Sequence, residues 1–130
     1  MTIAIVGTSH LTDSEKNRAW GMIAGLLCDF RGQVITGDAD GIDSIVLEFA
    51  EEYDVTMIKA LDKTWEGKYG YKQRNIKIAE MADIVYSIST RIKETRCYHC
   101  DTPNHERTGG CWTKRFAINK LGKQGKTIVI

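Results

Sequence analysis

The sequence predicts an α/β three-layer sandwich of about five parallel strands flanked by helices, formed by a single domain over residues 1–130. Three observations carry this expectation. Short apolar, β-branched runs alternate with longer segments whose apolar residues recur at helical spacing, which is the pattern of a parallel sheet covered on both faces. Several of the runs stop at glycine or small polar residues just before a helix-like segment, the pattern of a strand, a tight turn and a helix N-terminus. A length of 130 residues, 42% of them hydrophobic and 27% charged, suits one core of ordinary globular composition.

In chain order, residues 2–6 are a buried first strand that ends in Gly7-Thr8-Ser9-His10. Thr12 and Glu15 have the capping-box spacing. The helix they open carries Ala19, Trp20, Ile23, Leu26, Leu27 and Phe30 on one face, and Arg31-Gly32 stops it. Cys28 reads as a core thiol of that helix. Residues 33–36 form a second strand, and 42–53 a second helix striped by Ile42, Ile45, Val46, Phe49 and Tyr53. A third strand is expected at 55–60, and a polar, aromatic loop over the crevice at 63–71. A third helix fits 72–82, with Ile76, Ala79 and Met81 for packing, followed by a fourth strand at 83–88. Residues 90–111 form a Cys-rich loop insertion, 112–121 a fourth helix ended by Gly122, and 127–130 a terminal strand. Crossovers between the strands are expected to be right-handed.

In such a sheet a ligand sits at the carboxyl ends of the strands, where the strand order reverses. Four segments fall there: Gly7-Thr8-Ser9-His10, the turn from Gly37 to Gly41 and Asp43, Arg74-Asn75, and Thr108-Gly109-Gly110-Cys111-Trp112-Thr113. Glycines let a backbone approach a phosphate, the hydroxyls of Thr8, Ser9 and Thr113 can donate hydrogen bonds, and Arg74 can hold a phosphate bidentately. Asp43 either binds a ribose hydroxyl or caps its own helix. Asp38 and Asp40 repel a bare phosphate, so a ribose, a base or a metal-bound phosphate is easier to accept near them. Trp65, Tyr69 or Trp112 can stack on a base, although a ring at a helix start is as often simply packed. His10 can reach a phosphate or stand as a solvated loop histidine.

Taken together, Ile5-Val6-Gly7-Thr8 (I-x-G-T/S), Thr36 to Asp43 (T-G-x-x-x-G-x-D), Arg74-Asn75 opening a helix, Ala82-Asp83 before a strand and Gly109 to Thr113 (G-G-x-x-T) resemble the SLOG superfamily of Rossmann-like proteins. The similarity is to its YpsA/YspA-like branch, related to the lysine-decarboxylase-like phosphoribohydrolases and to the DNA-processing protein A, and it covers nearly the whole chain. It implies a Rossmann-like fold in which Gly7, Thr8, Gly37, Gly41, Asp43, Arg74, Asn75, Gly109, Gly110 and Thr113 line a nucleotide or nucleotide-derivative site. It also implies an oligomer, since such relatives are frequently dimers, and the aromatic loop at 65–71 is the candidate interface. The phosphoribohydrolases read G-G-x-G-T-x-x-E, whereas this chain has Trp112 in place of the glycine and Phe116 in place of the glutamate. A phenylalanine cannot act as acid, base or charge stabiliser, so the hydrolytic reaction is not expected.

Cys97, Cys100, His105 and Cys111 follow the spacing C-x2-C-x4-H-x5-C. Thiolates and imidazole suit tetrahedral Zn2+, and four closed ligands make a structural site. The spacing lies one residue from a nucleic-acid-binding zinc knuckle, which it resembles locally. His99 is a rival ligand. A redox C-x-x-C pair and unconnected cysteines are the alternatives, and a disulfide is disfavoured in a reducing compartment. As a structural ion, zinc would tie the long loop and fix Gly109 and Gly110 against the crevice.

The net charge of +1 conceals an asymmetry. Residues 1–65 hold 5 Lys/Arg against 11 Asp/Glu, and residues 66–130 hold 13 against 6. Either the two halves attract each other within one fold, or the basic half attracts phosphates. The second possibility supports an alternative function, nucleic-acid binding through the cysteine cluster and Arg91, Lys93, Arg96, Arg107, Lys114 and Arg115. No apolar run approaches a membrane span, and the N-terminal segment lacks the basic and apolar regions of a signal peptide, so a cytoplasmic location is expected and no membrane partner. Binding of a nucleotide-like small molecule is the leading expectation. Nucleic-acid binding and a phosphoribohydrolase-like reaction follow it.

Overall fold

The computed structural model describes residues 1–57, 70–97, 99, 102–106 and 108–130. Among these, four strands and four helices follow in the order β1 (Thr2–Gly7), α1 (Asp13–Leu27), β2 (Gln33–Ile35), α2 (Ile42–Glu52), α3 (Gly70–Met81), β3 (Ile84–Ser89), α4 (Gly109–Leu121) and β4 (Gln124–Val129). All pairings are parallel, in the order β2-β1-β3-β4. The sheet therefore has four described strands rather than five. Residue Met57 makes a single parallel bridge to Val34, which marks where a further strand would join, and residues 58–60 of that expected strand lie outside the described residues.

The layers follow from alternation along buried strands. Ile3, Ala4, Ile5 and Val6 are all buried, as a parallel strand covered on both faces requires. Ile3 and Ile5 pack with Ala19, Ile23 and Leu27 of α1 and with Val46, Phe49 and Ala50 of α2. Ala4 and Val6 face the other way, onto Ile35 and Val85 and onto Ile78, Ala79 and Ala117 from α3 and α4. Two side-chain periods, 2 along the strand and 3.6 along the helices, thus build one core on each side of the sheet.

The capping box of α1 is complete: Thr12 Oγ1 accepts from the Glu15 amide at 3.2 Å, and Glu15 Oε1 accepts from the Thr12 amide at 2.9 Å. Other expectations need correction. Cys28 is exposed at the end of α1 and does not enter the core. Met81 is exposed; α3 packs through Ala79, as expected, and through Ile78. Helix α3 starts at Gly70 rather than at residue 72. Helix α4 starts at Gly109 rather than at residue 112, because Thr108 in extended backbone accepts from the Cys111 amide at 3.2 Å and so nucleates the helix three residues earlier. Strand β4 starts at Gln124, because Gln124, Gly125 and Lys126 register against Ile84, Val85 and Tyr86.

The inserted loop has order of its own. Arg91 bridges His105 in antiparallel fashion, the Ile92 amide donates to the Asn104 carbonyl at 3.0 Å, and the Glu106 amide donates to the Thr90 carbonyl at 2.9 Å. The chain therefore leaves the end of β3, turns, and returns to the same strand end before entering α4. No described helix is long and apolar enough to cross a membrane.

Candidate functional site

The strand order reverses between β1 and β3, so a crevice opens beyond their carboxyl ends. A cleft of about 350 Å³ lies there. Gly7 and Ser9 reach it from the end of β1, Asp43 from the first turn of α2, and Arg74 and Asn75 from α3. The remaining wall is Glu106, Thr108, Gly109, Gly110 and Thr113, at and before the start of α4. Residues from all four expected segments thus meet in one place.

Each side chain is held for a local reason. Asp43 is 3% exposed. Its Oδ2 accepts from the Ala39 amide at 3.2 Å, while its Oδ1 is buried with no hydrogen-bond partner. Burial pushes the Asp43 carboxyl up to about 6, against smaller downward pulls from the Ala39 amide and the Arg74 guanidinium. Of the two roles foreseen for Asp43, helix capping does not describe its geometry: the N-cap position belongs to Gly41, and Asp43 ties back the turn ahead of it. Gly41 adopts φ +73°, and a Cβ there would strike the Thr8 carbonyl that receives the Ile42 amide. Gly37 lies directly against the Asp43 carboxylate and the Arg74 guanidinium.

Arg74 is buried, ion-paired to Asp38, and donates from Nη2 to Asn75 Oδ1 at 3.1 Å. The expected repulsion of phosphate by Asp38 is therefore partly cancelled by this pair. Helix α4 runs 13 residues from the cleft, so its N-terminal amides and dipole present a partial positive charge to it. Gly110 permits the approach: a Cβ there would lie 3.0 Å from both the Gly7 nitrogen and the Ser87 hydroxyl.

Of the expected site residues, Thr8, Gly37, Gly41 and Trp112 do not line this cleft, whereas Thr113 does. Thr8 is buried beneath the cleft, where its Oγ1 accepts from the Thr90 amide at 3.2 Å. Thr113 donates its hydroxyl proton to the Gly109 carbonyl at 2.8 Å, which leaves it an acceptor toward the cleft. Trp112 stacks on Phe116 with ring centroids 5.4 Å apart, and Phe116 packs against the core beneath α3 and α4. The two residues that depart from the hydrolase pattern thus form a ring pair on α4. Trp65 and Tyr69, like most of the aromatic loop, lie outside the described residues. A second hollow of about 560 Å³ adjoins Ser9 and Gly41 and is lined by His10, Lys16, Trp20, Asp40 and Glu48 among others.

Glu106 is the site residue that sequence reasoning missed. It lines the cleft, and its Oε2 accepts from the Thr90 hydroxyl at 3.2 Å. No periodicity or motif marks it; only the return of the inserted loop to the end of β3 brings it there.

Behind this wall lies a buried cluster. Ligand atoms of Cys97, His105 and Cys111 all fall within 4.8 Å of one another, and these residues are 8%, 0% and 0% exposed. The described geometry favours His105 over His99 in this cluster. His105 Nδ1 lies 2.7 Å from the Glu106 carbonyl, which can only accept, so this nitrogen is the donor of that bond. Cys111 Sγ lies 3.2 Å from the Ser87 hydroxyl and 3.9 Å from that of Ser89, in the first turn of α4. The donor set, its proximity and its burial fit a metal ion. Cys100 lies outside the described residues.

Of the basic residues, Arg91, Lys93, Arg96 and Arg115 are exposed. Lys114 is buried and donates to Thr127 Oγ1, so it is withdrawn from any phosphate-binding surface. Arg107 lies outside the described residues. Compared with known proteins, the chain gives no significant match to any family model, curated protein or solved structure.

Proposed function

We propose that this chain binds a nucleotide or nucleotide-derived ligand in the cleft between β1 and β3, as a Rossmann-like domain of the SLOG kind, with a structural zinc ion behind it. The observation that carries this reading is a complementary pair of features within one 350 Å³ cleft. The Arg74 guanidinium and the N-terminus of α4 line it and suit a phosphate. Asp43, close beside Arg74 across Gly37, lines it too, and its buried Oδ1 suits a ribose hydroxyl or an amino group. Zinc would be held by Cys97, His105 and Cys111, with Cys100 as the fourth ligand, and its role would be to order the wall that includes Gly109 and Gly110.

Calorimetric titration with nucleoside monophosphates, diphosphates and cyclic dinucleotides tests the reading. At least one should bind with sub-millimolar affinity. Arg74→Ala should weaken it by roughly 10- to 100-fold, the worth of a charge-assisted contact, while leaving the much weaker binding of the parent nucleoside unchanged. Absence of binding across the panel, or equal losses for nucleotide and nucleoside, would count against a phosphate at Arg74.

A further inference from the structure

His105 and Cys111 bracket the segment that supplies one wall of the cleft. Between them lie Glu106, Thr108, Gly109 and Gly110, all of which line it. His105 reaches Glu106 directly, through Nδ1 and the Glu106 carbonyl at 2.7 Å. The Cys111 amide donates the capping bond to Thr108 Oγ1, so the residue whose sulfur joins the cluster also completes the first turn of α4. Cys97 contributes the third ligand from the outgoing limb of the inserted loop, and Ser87 and Ser89 fasten Cys111 to β3.

We propose that metal occupancy of the Cys97–His105–Cys111 cluster regulates ligand binding in the cleft, an inference that rests on the nucleotide reading above. A single ion held by both His105 and Cys111 closes the intervening chain into a ring and sets Glu106, Thr108 and the Gly109–Gly110 amides in position before a ligand arrives. Glu106 and Thr108 belong to no helix or strand and are held by bonds to Thr90 and the Cys111 amide, so the ion would add to the order that ligand binding otherwise has to supply. Linkage makes the effect reciprocal: a ligand that needs the ordered wall must tighten metal binding by the same factor by which the metal tightens ligand binding.

The experiment compares zinc-loaded protein, chelator-treated protein and chelator-treated protein with zinc restored. Amide hydrogen exchange gives a readout that needs no nucleotide. Removing zinc should speed exchange at the Glu106 and Cys111 amides, which donate to the Thr90 carbonyl and to Thr108 Oγ1, by about tenfold or more, while β1 and β3 amides keep their protection. Cys97→Ser, which alters a ligand outside the cleft, should reproduce the change in the presence of limiting zinc, and Cys28→Ser should not. Adenosine 5′-monophosphate then serves as the binding probe, with an expected loss of about 5- to 150-fold on zinc removal and full recovery on its return. Unchanged exchange at Glu106 and Cys111 overturns the proposal whatever the probe does. Equal probe affinity with and without zinc overturns it while leaving the nucleotide reading intact. Failure of the zinc-loaded protein to bind any nucleotide, with exchange still zinc-dependent, overturns the nucleotide reading and the regulation of it together.

Discussion

Replacing Asp43 with asparagine should reverse a pH dependence built into the fold. The carboxyl is 3% exposed and its Oδ1 has no donor, so its charge is poorly tolerated. Its pKa stands at about 6, against 3.8 for the ordinary value, chiefly through burial. Below about pH 4 the group is protonated in both folded and unfolded chains, and it costs the fold nothing. As pH rises toward 6 the unfolded chain releases the proton first, so stability falls, and above the folded pKa the full loss is reached. The difference in pKa corresponds to about 3 kcal/mol at 1.36 kcal/mol per unit. An asparagine side chain would keep an oxygen for the Ala39 amide and lack the charge. Urea unfolding of both proteins from pH 4 to pH 8 isolates the effect, because the other carboxylates cancel in the comparison. The stability of the Asp43→Asn variant relative to the parent should rise by up to about 3 kcal/mol across that range. Parallel curves, or a gap that widens toward acid, would refute the assignment of a buried, donor-starved carboxylate.

Further outcomes follow from the turns and caps. Gly41→Ala places a side chain at φ +73° against the Thr8 carbonyl, so thermal unfolding should show a loss of about 1–2 kcal/mol or more. Thr12→Ala removes one half of the capping box at α1 and should cost about 1 kcal/mol in denaturant unfolding, with no effect on ligand titrations, since Thr12 does not line the cleft. Gly110→Ala sets a methyl group 3.0 Å from the Gly7 nitrogen and the Ser87 hydroxyl. Nucleotide affinity should drop while the circular dichroism spectrum stays that of the parent.

Much of the architecture was readable where local chemistry and burial agree. The run from Ile3 to Val6 is apolar because both faces of β1 are covered, and Thr12 with Glu15 marks the start of α1 by bonds made within one turn. The crevice turns were readable for the same reason: glycines in the right order at strand ends signal close backbone approach. The start of α4 was not, because Gly109-Gly110 has poor helix propensity and is held as helix by the Thr108 cap, the Thr113 hydroxyl on the Gly109 carbonyl and close contact with Gly7. Strand β4 hid its first half in Gln124-Gly125-Lys126, whose place depends on pairing with β3 rather than on its own composition. Glu106 and the pairing of Arg74 with Asp38 are tertiary facts, set by which loops return to which strand end, and no spacing in the chain announces them. The cysteine spacing did announce a cluster, and the geometry selects His105 within it.

The position of β1 between β2 and β3 has a consequence for how the molecule reaches its native state. One edge of β1 is satisfied early, by Gln33 to Ile35, but its other edge pairs with Ile84 to Ile88, some 80 residues farther along. Such non-local parallel pairing is slow, since a long loop must close before the contact rewards it. During synthesis the first half of the chain therefore emerges with a flat, apolar strand edge unpaired, and it stays so until β3 leaves the ribosome. The same closure creates the crevice, so a ligand that binds there has no site on the nascent first half and can stabilise the protein only after its slowest step is complete.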